Sequence, residues 1–74
     1  MKIHVATISH EYGLNFYAAK TREGLERQLY RFVSEWDPSL RNKQPKDYRK
    51  AIQEYFDDRQ DEEFLEKDTT DLED

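Results

Sequence analysis

The segment KIHVATIS (residues 2–9) is rich in β-branched residues and predicts a β-strand at the start of the chain. Side chains alternate along a strand, so its odd-numbered and even-numbered residues would lie on opposite faces. Gly13 can adopt the positive φ that a turn needs, and the segment NFYAAK (residues 15–20) then returns as a second strand. The sequence therefore predicts an N-terminal β-hairpin.

Two amphipathic helices are predicted after the hairpin. Thr21 can cap the first helix, because its hydroxyl accepts from amides of the first turn. Asp37 precedes a proline and ends that helix, while Pro45 suits the first position of the second helix. The two apolar stripes are Leu25, Leu29, Phe32, Val33 and Trp36, and then Tyr48, Ala51, Ile52, Tyr55 and Phe56.

These elements predict a single α+β domain over residues 1–74, a small antiparallel sheet covered on one face by the two helices. Residues 63–71 would either add a third strand at the edge of the hairpin, anchored by Phe64, or form a frayed tail. Periodicity also assigns Phe16 to the core. Tyr12 and Tyr30 lie outside the stripes and would either anchor an interface or, as is commoner, fill the margins of the small core.

The charge is unevenly distributed along the chain. Residues 1–56 carry ten Lys or Arg against seven Asp or Glu, a balance of +3, whereas residues 57–74 carry two against ten, a balance of −8. The sum is the net charge of −5. The acidic C-terminal segment is therefore the most specific signal in the sequence, and it indicates a basic partner.

Composition argues against several classes of function. The chain has 74 residues, no cysteine and only two glycines, so it lacks a thiol nucleophile, a disulfide and a phosphate-cradling loop. His4 and His10 are about 20 Å apart along an extended strand, too far to bind one metal ion unless the turn folds back. No apolar run approaches the roughly 20 residues of a membrane span. We expect a cytoplasmic binding protein without catalytic residues, cofactor or metal.

A basic stretch offers an alternative function. Five cations bracket the start of the second helix and could neutralise nucleic-acid phosphates: Arg41, Lys43, Lys46, Arg49 and Lys50. The acidic segment opposes this interpretation, because it would repel nucleic acid or fold back onto the cations. A solvated helix face is the simpler explanation of the basic stretch.

The acidic segment can match the charge spacing of nucleic acid. In an extended chain its acids would lie about 6 Å apart on average, similar to neighbouring phosphates of one DNA strand. The predicted partner-binding residues are the acids of this segment, acids of the first helix and one tyrosine: Asp57, Asp58, Asp61, Glu62, Glu63, Glu66, Asp68, Glu23, Glu26, Glu35 and Tyr30.

The N-terminal run IHVATISH (residues 3–10), followed by Gly13, Asn15, YAA (residues 17–19) and Thr21, resembles small acidic proteins of proteobacterial phages and mobile elements. The run AIQEYF (residues 51–56), with acids after it, resembles the same group. Tyr12 stands where that group often has a second histidine. Such proteins include anti-CRISPR proteins, so the resemblance implies an inhibitor of a multisubunit type I CRISPR–Cas complex.

The resulting hypothesis is a stoichiometric inhibitor in the bacterial host cytoplasm, either a monomer or a weak homodimer. It would bind a basic Cas subunit through a DNA-mimicking acidic surface, without direct contact to nucleic acid or membrane. Two alternatives stay open: a phage regulator that binds nucleic acid through residues 41–50, and an antitoxin-like module whose acidic tail orders on a basic partner.

Overall fold

The computed structural model describes residues 2–59 and 62–71, and it is a two-layer α+β fold. Strands β1 (Lys2–His10) and β2 (Gly13–Ala19) form the hairpin. Helices α1 (Arg22–Trp36) and α2 (Tyr48–Asp57) follow, and strand β3 (Phe64–Asp71) completes the sheet. The predicted fold class is confirmed, including the third strand.

Strand β1 is the central strand of the antiparallel sheet, whose order is β2-β1-β3. Its two pairings fix which side chains share a face: Ile8 lies opposite Asn15 of β2 and Leu65 of β3. Ala6 and Ile8 are buried under the helices. The helix-covered face therefore carries the even-numbered residues of β1 and the odd-numbered residues of β2 and β3.

A two-residue turn, Glu11 and Tyr12, joins the hairpin strands, since His10 pairs with Gly13. Gly13 has a φ of 134°, as the sequence predicted, and any side chain would be strained there. Thr21 caps α1 as expected, its hydroxyl accepting from the Gly24 amide at 3.0 Å.

The core lies between the sheet and both helices. It contains the inward residues of β1 and the apolar stripes of both helices, Ala6, Ile8, Leu25, Leu29, Phe32, Val33, Ala51, Ile52, Tyr55 and Phe56, together with Leu40. Leu40 belongs to a short 3₁₀ turn, Pro38–Leu40, inside the predicted polar connection. A second 3₁₀ turn, Pro45–Asp47, precedes α2, so Pro45 starts this turn and the α-helix begins at Tyr48.

Two core assignments from the sequence, Phe16 and Trp36, are wrong, and so is the prediction that Phe64 anchors the third strand. Phe16 lies opposite Thr7 and Phe64 opposite Ser9, so the pleat places both on the face without helices. Leu65, one residue after Phe64, packs against the core and anchors β3 instead. Trp36, the last residue of α1, is mostly exposed, and its ring centroid lies 6.3 Å from that of Phe32.

The two helices run in the same direction, as the order of their contacts shows. Glu26 pairs with Arg49 near the start of both helices, Tyr30 stacks on Tyr48, and Phe32 contacts Tyr55. The connection 37–47 therefore returns along α1. As a result, α1 and α2 both end near the hairpin turn, and β3 begins there, opposite Ser9.

Substituting Ile8 tests the central position of β1. Ile8 is fully buried, so Ile8→Ala should lower the free energy of unfolding by about 2–5 kcal/mol through lost burial and a cavity. Ile3 lies on the same strand with the opposite parity and is half-buried. Ile3→Ala should cost less than half as much in urea unfolding followed by circular dichroism. Equal losses would contradict this assignment of the two faces.

Candidate functional site: the turn-end surface

The end of the molecule near the hairpin turn, here called the turn end, gathers the exposed apolar side chains. The large hydrophobic residues that are mostly exposed are Tyr12 (85%), Leu14 (55%), Phe16 (73%), Trp36 (63%) and Phe64 (61%). Tyr12 is in the turn, Leu14 and Phe16 follow it in β2, Phe64 starts β3 and Trp36 ends α1. Exposed aromatic residues grouped in one region are typical of protein interfaces.

A groove of about 520 Å³ lies on the helix side of this end. The rings of Tyr12, His10, Phe32 and Trp36 follow one another along it, with neighbouring centroids 6.3–6.5 Å apart. Four carboxylates and the one guanidinium of Arg31 also line it; the carboxylates are Glu11, Glu35, Glu62 and Glu63. The turn-end groove is therefore aromatic along its length and negatively charged.

Three of the predicted partner-binding acids meet in this groove although they are distant in sequence. Glu35 comes from the last turn of α1, whereas Glu62 and Glu63 precede β3. They come together because β3 starts beside the end of α1. Asp58 is exposed just after α2, which ends at the same side of the molecule.

The other predicted acids lie elsewhere. Glu66 and Asp68 are on β3, opposite Thr7 and Val5 on the face without helices. Glu23 is exposed in the first turn of α1, far from the turn end. Asp61 lies outside the described residues.

A second groove of about 980 Å³ lies between β3 and the helices, and four of the predicted acids line it: Glu26, Asp57, Glu63 and Asp68. Arg22, Arg49 and Lys67 also line it, and Arg49 is paired with Glu26 at 3.2 Å. Mixed charges of this kind give little preference for a basic or an acidic ligand.

Tyr30 has a structural role. Its hydroxyl donates to the Leu40 carbonyl at 2.6 Å and accepts from the Lys43 amide at 2.9 Å, while its ring stacks on Tyr48 with centroids 4.0 Å apart. These contacts hold the connection 37–47 against α1. A role of Tyr30 in partner binding stays a prediction, and we leave Tyr30 out of the turn-end surface.

The basic stretch is partly used within the fold. Arg41 donates from Nε to the Ser34 carbonyl at 3.1 Å, and Arg49 is paired with Glu26. Lys43, Lys46 and Lys50 are exposed. Among the described residues, the partners of these two arginines lie on α1, and a folding back of the acidic segment onto the basic stretch stays a prediction.

Two ionisable groups near the turn end have shifted pKa values. Hydrogen bonds from the Ser39 hydroxyl and amide, at 2.6 and 3.1 Å, lower the pKa of Asp37, and Arg59 lies 3.8 Å from the same carboxylate. Burial raises the pKa of Tyr55, with a further contribution from the Glu63 carboxylate. Tyr55 therefore stays neutral at physiological pH, and the Arg59 guanidinium lies 4.0 Å above its ring.

Among residues 2–59 and 62–71, no three histidine, aspartate or glutamate side chains are grouped so that they could hold a metal ion. No helix in that part of the chain is long and apolar enough to cross a membrane.

The chain matches no protein-family model, no curated protein and no solved structure. Function must therefore be argued from the surface itself.

Sequence patterns indicate Tyr12 as an interface residue, but they do not reveal the rest of the apolar turn-end surface, Leu14, Phe16, Trp36 and Phe64. The hairpin register determines the face on which Phe16 lies. With a two-residue turn, His10 pairs with Gly13, and Phe16 then lies opposite Thr7 on the face without helices. A core assignment for Phe16 is incompatible with the burial of Ile8 and Ala6 in that register.

The structural role of Tyr30 can be tested by removing one oxygen. Tyr30→Phe should lower the free energy of unfolding by about 1–3 kcal/mol, because the Leu40 carbonyl and Lys43 amide lose their shared partner. Tyr12→Phe is the matched control, since Tyr12 is exposed, and it should leave stability unchanged in urea unfolding. Equal stability of the two variants would contradict the structural role.

Proposed function

We propose that the protein is a stoichiometric inhibitor that binds a basic protein surface, of the kind that holds DNA in a type I CRISPR–Cas effector complex. The observation that carries the proposal is the turn-end groove, where Glu11, Glu35, Glu62 and Glu63 surround exposed aromatic rings against one cation. Acids on such a surface attract lysines and arginines and speed association, while aromatic residues supply contact area.

The arrangement favours a protein partner over DNA itself. Phosphates would be repelled by the carboxylates of the groove, whereas a DNA-binding subunit presents clustered cations that normally neutralise phosphates. Occupying those cations blocks DNA binding without any chemical step. The choice of a type I CRISPR–Cas complex as the target rests on the resemblance of residues 3–10, of several positions between 13 and 21, and of residues 51–56 to small phage and mobile-element proteins, a group that includes anti-CRISPR proteins.

Competition with DNA tests the proposal. Purified protein is added to a panel of purified type I effector complexes, and their binding to a fluorescent target duplex is followed by anisotropy. We expect DNA binding to be lost near one inhibitor per complex, and the inhibition to weaken as salt rises. A panel in which every complex binds DNA equally well with and without the protein would contradict the proposal.

Paired charge neutralisations locate the interaction. Glu35→Gln with Glu62→Gln removes two charges from the turn-end groove and should raise the half-inhibitory concentration by about 2- to 30-fold, the range for two exposed ion pairs. Asp47→Asn with Glu54→Gln removes the same charge from the start and outer surface of α2, outside the turn-end groove. This control should inhibit like the wild type. Equal inhibition by both variants would exclude the groove as the interface.

A further inference from the structure

The face of the sheet without helices carries a compact apolar patch at the turn end. Leu14 and Phe64 lie on either side of Ser9, and Phe16 and Glu66 on either side of Thr7, the next residue of β1 on that face. Neighbouring strands are about 4.8 Å apart, so Leu14 and Phe64 are about 10 Å from each other at the backbone. All three apolar side chains are mostly exposed.

We infer that this open sheet face docks the basic protein partner, with Leu14, Phe16 and Phe64 as its apolar anchors and with Glu66 and Asp68 as its charged contacts. The inference rests on the proposed function and names a surface that the turn-end groove does not include. The sheet would then contact the partner directly, in addition to holding the acids of the turn-end groove in position.

The charge of the open face favours a basic partner. Among the described strand positions on the open face, Glu66 and Asp68 are the charged ones, and both are acidic. The cation of β3, Lys67, lies opposite Ala6 and so belongs to the helix-covered face. A partner with apolar residues beside lysines or arginines would bury the three anchors and pair with both carboxylates.

The same charges disfavour a second copy of the chain as the occupant. In a symmetric dimer built face to face, each open face would meet its own equivalent, and four carboxylates from two copies would share one interface. Like charges brought together at an interface cost free energy, and the strand positions that the structure describes on each open face include no cation to offset them.

Size indicates that the open face works together with the turn-end groove. The outer strand axes are about 10 Å apart and seven residues of strand extend about 23 Å, so the face between these axes covers about 230 Å², less than the roughly 800 Å² per partner of a standard interface. Tyr12, in the turn between β1 and β2, lies where the open face and the groove meet. A partner that wraps the turn end can contact both surfaces.

The experiment uses the full chain and the type I effector complexes of the competition assay. Affinity is measured by biolayer interferometry for the wild type and for Phe16→Thr with Phe64→Thr. Threonine suits strands and both side chains are exposed, so circular dichroism and the Tm should stay close to those of the wild type. We expect Kd to rise about 30-fold or more, as for interface hot spots.

Lys67→Thr is the matched control, because it changes β3 on the opposite face of the sheet. Its Kd should stay within about threefold of the wild type, since exposed single charges contribute little. A selective loss in the phenylalanine variant, with an unchanged Tm, supports the docking face.

Other results overturn the inference. If the wild type binds a complex and the phenylalanine variant binds equally well, the open face is not the docking surface, although the proposed function stands. If the wild type binds no complex, the proposed function fails and the inference with it. If sedimentation shows a wild-type dimer that the phenylalanine variant converts to a monomer, the occupant is a second copy.

Discussion

The pairing of β1 with β3 is the constraint on which the rest of the structure depends. It joins the first residues of the chain to an acidic segment more than fifty residues later, from Ser9 with Phe64 to Lys2 with Asp71. Without it, the acids after α2 would have no fixed positions. With it, Leu65 reaches the core, Phe64 and Glu66 share the open face, and Glu63 lies in the turn-end groove. The pairing of β1 with β3 therefore gives the acidic residues that follow α2 fixed positions on the surface.

The parallel direction of the two helices also determines which residues meet at the turn end. Because the connection 37–47 returns along α1, held there by Tyr30, α2 runs parallel to α1 and ends near the hairpin turn. The end of α1, the end of α2 and the start of β3 thus meet at one place. The exposed cations Lys43, Lys46 and Lys50 lie along the connection and the start of α2. None of these three lysines lines the turn-end groove, so the lysines of the basic stretch are separate from the acids of the groove.

Most of the elements could be predicted from local sequence signals. The cap at Thr21, the stop at Asp37, the glycine of the turn and the helical stripes act within a few residues, where spacing and backbone preference decide the structure. The exposed positions of Phe16, Trp36 and Phe64 could not be predicted in this way. They depend on strand register and on where α1 ends relative to the sheet, which are tertiary properties. The acids of the candidate site and Tyr12 could therefore be named from the sequence, whereas Leu14, Phe16, Trp36 and Phe64 could not.

Amide hydrogen exchange of the protein, free and bound to a type I effector complex, tests the central claim most directly. In the free protein, the β3 amides bonded to β1 should exchange slowly. On binding, protection should increase in residues 11–16 and 62–68, which form the turn end and the adjacent open face, and should stay unchanged in residues 43–50. Fast exchange throughout β3 in the free protein, or new protection confined to residues 43–50, would contradict the account.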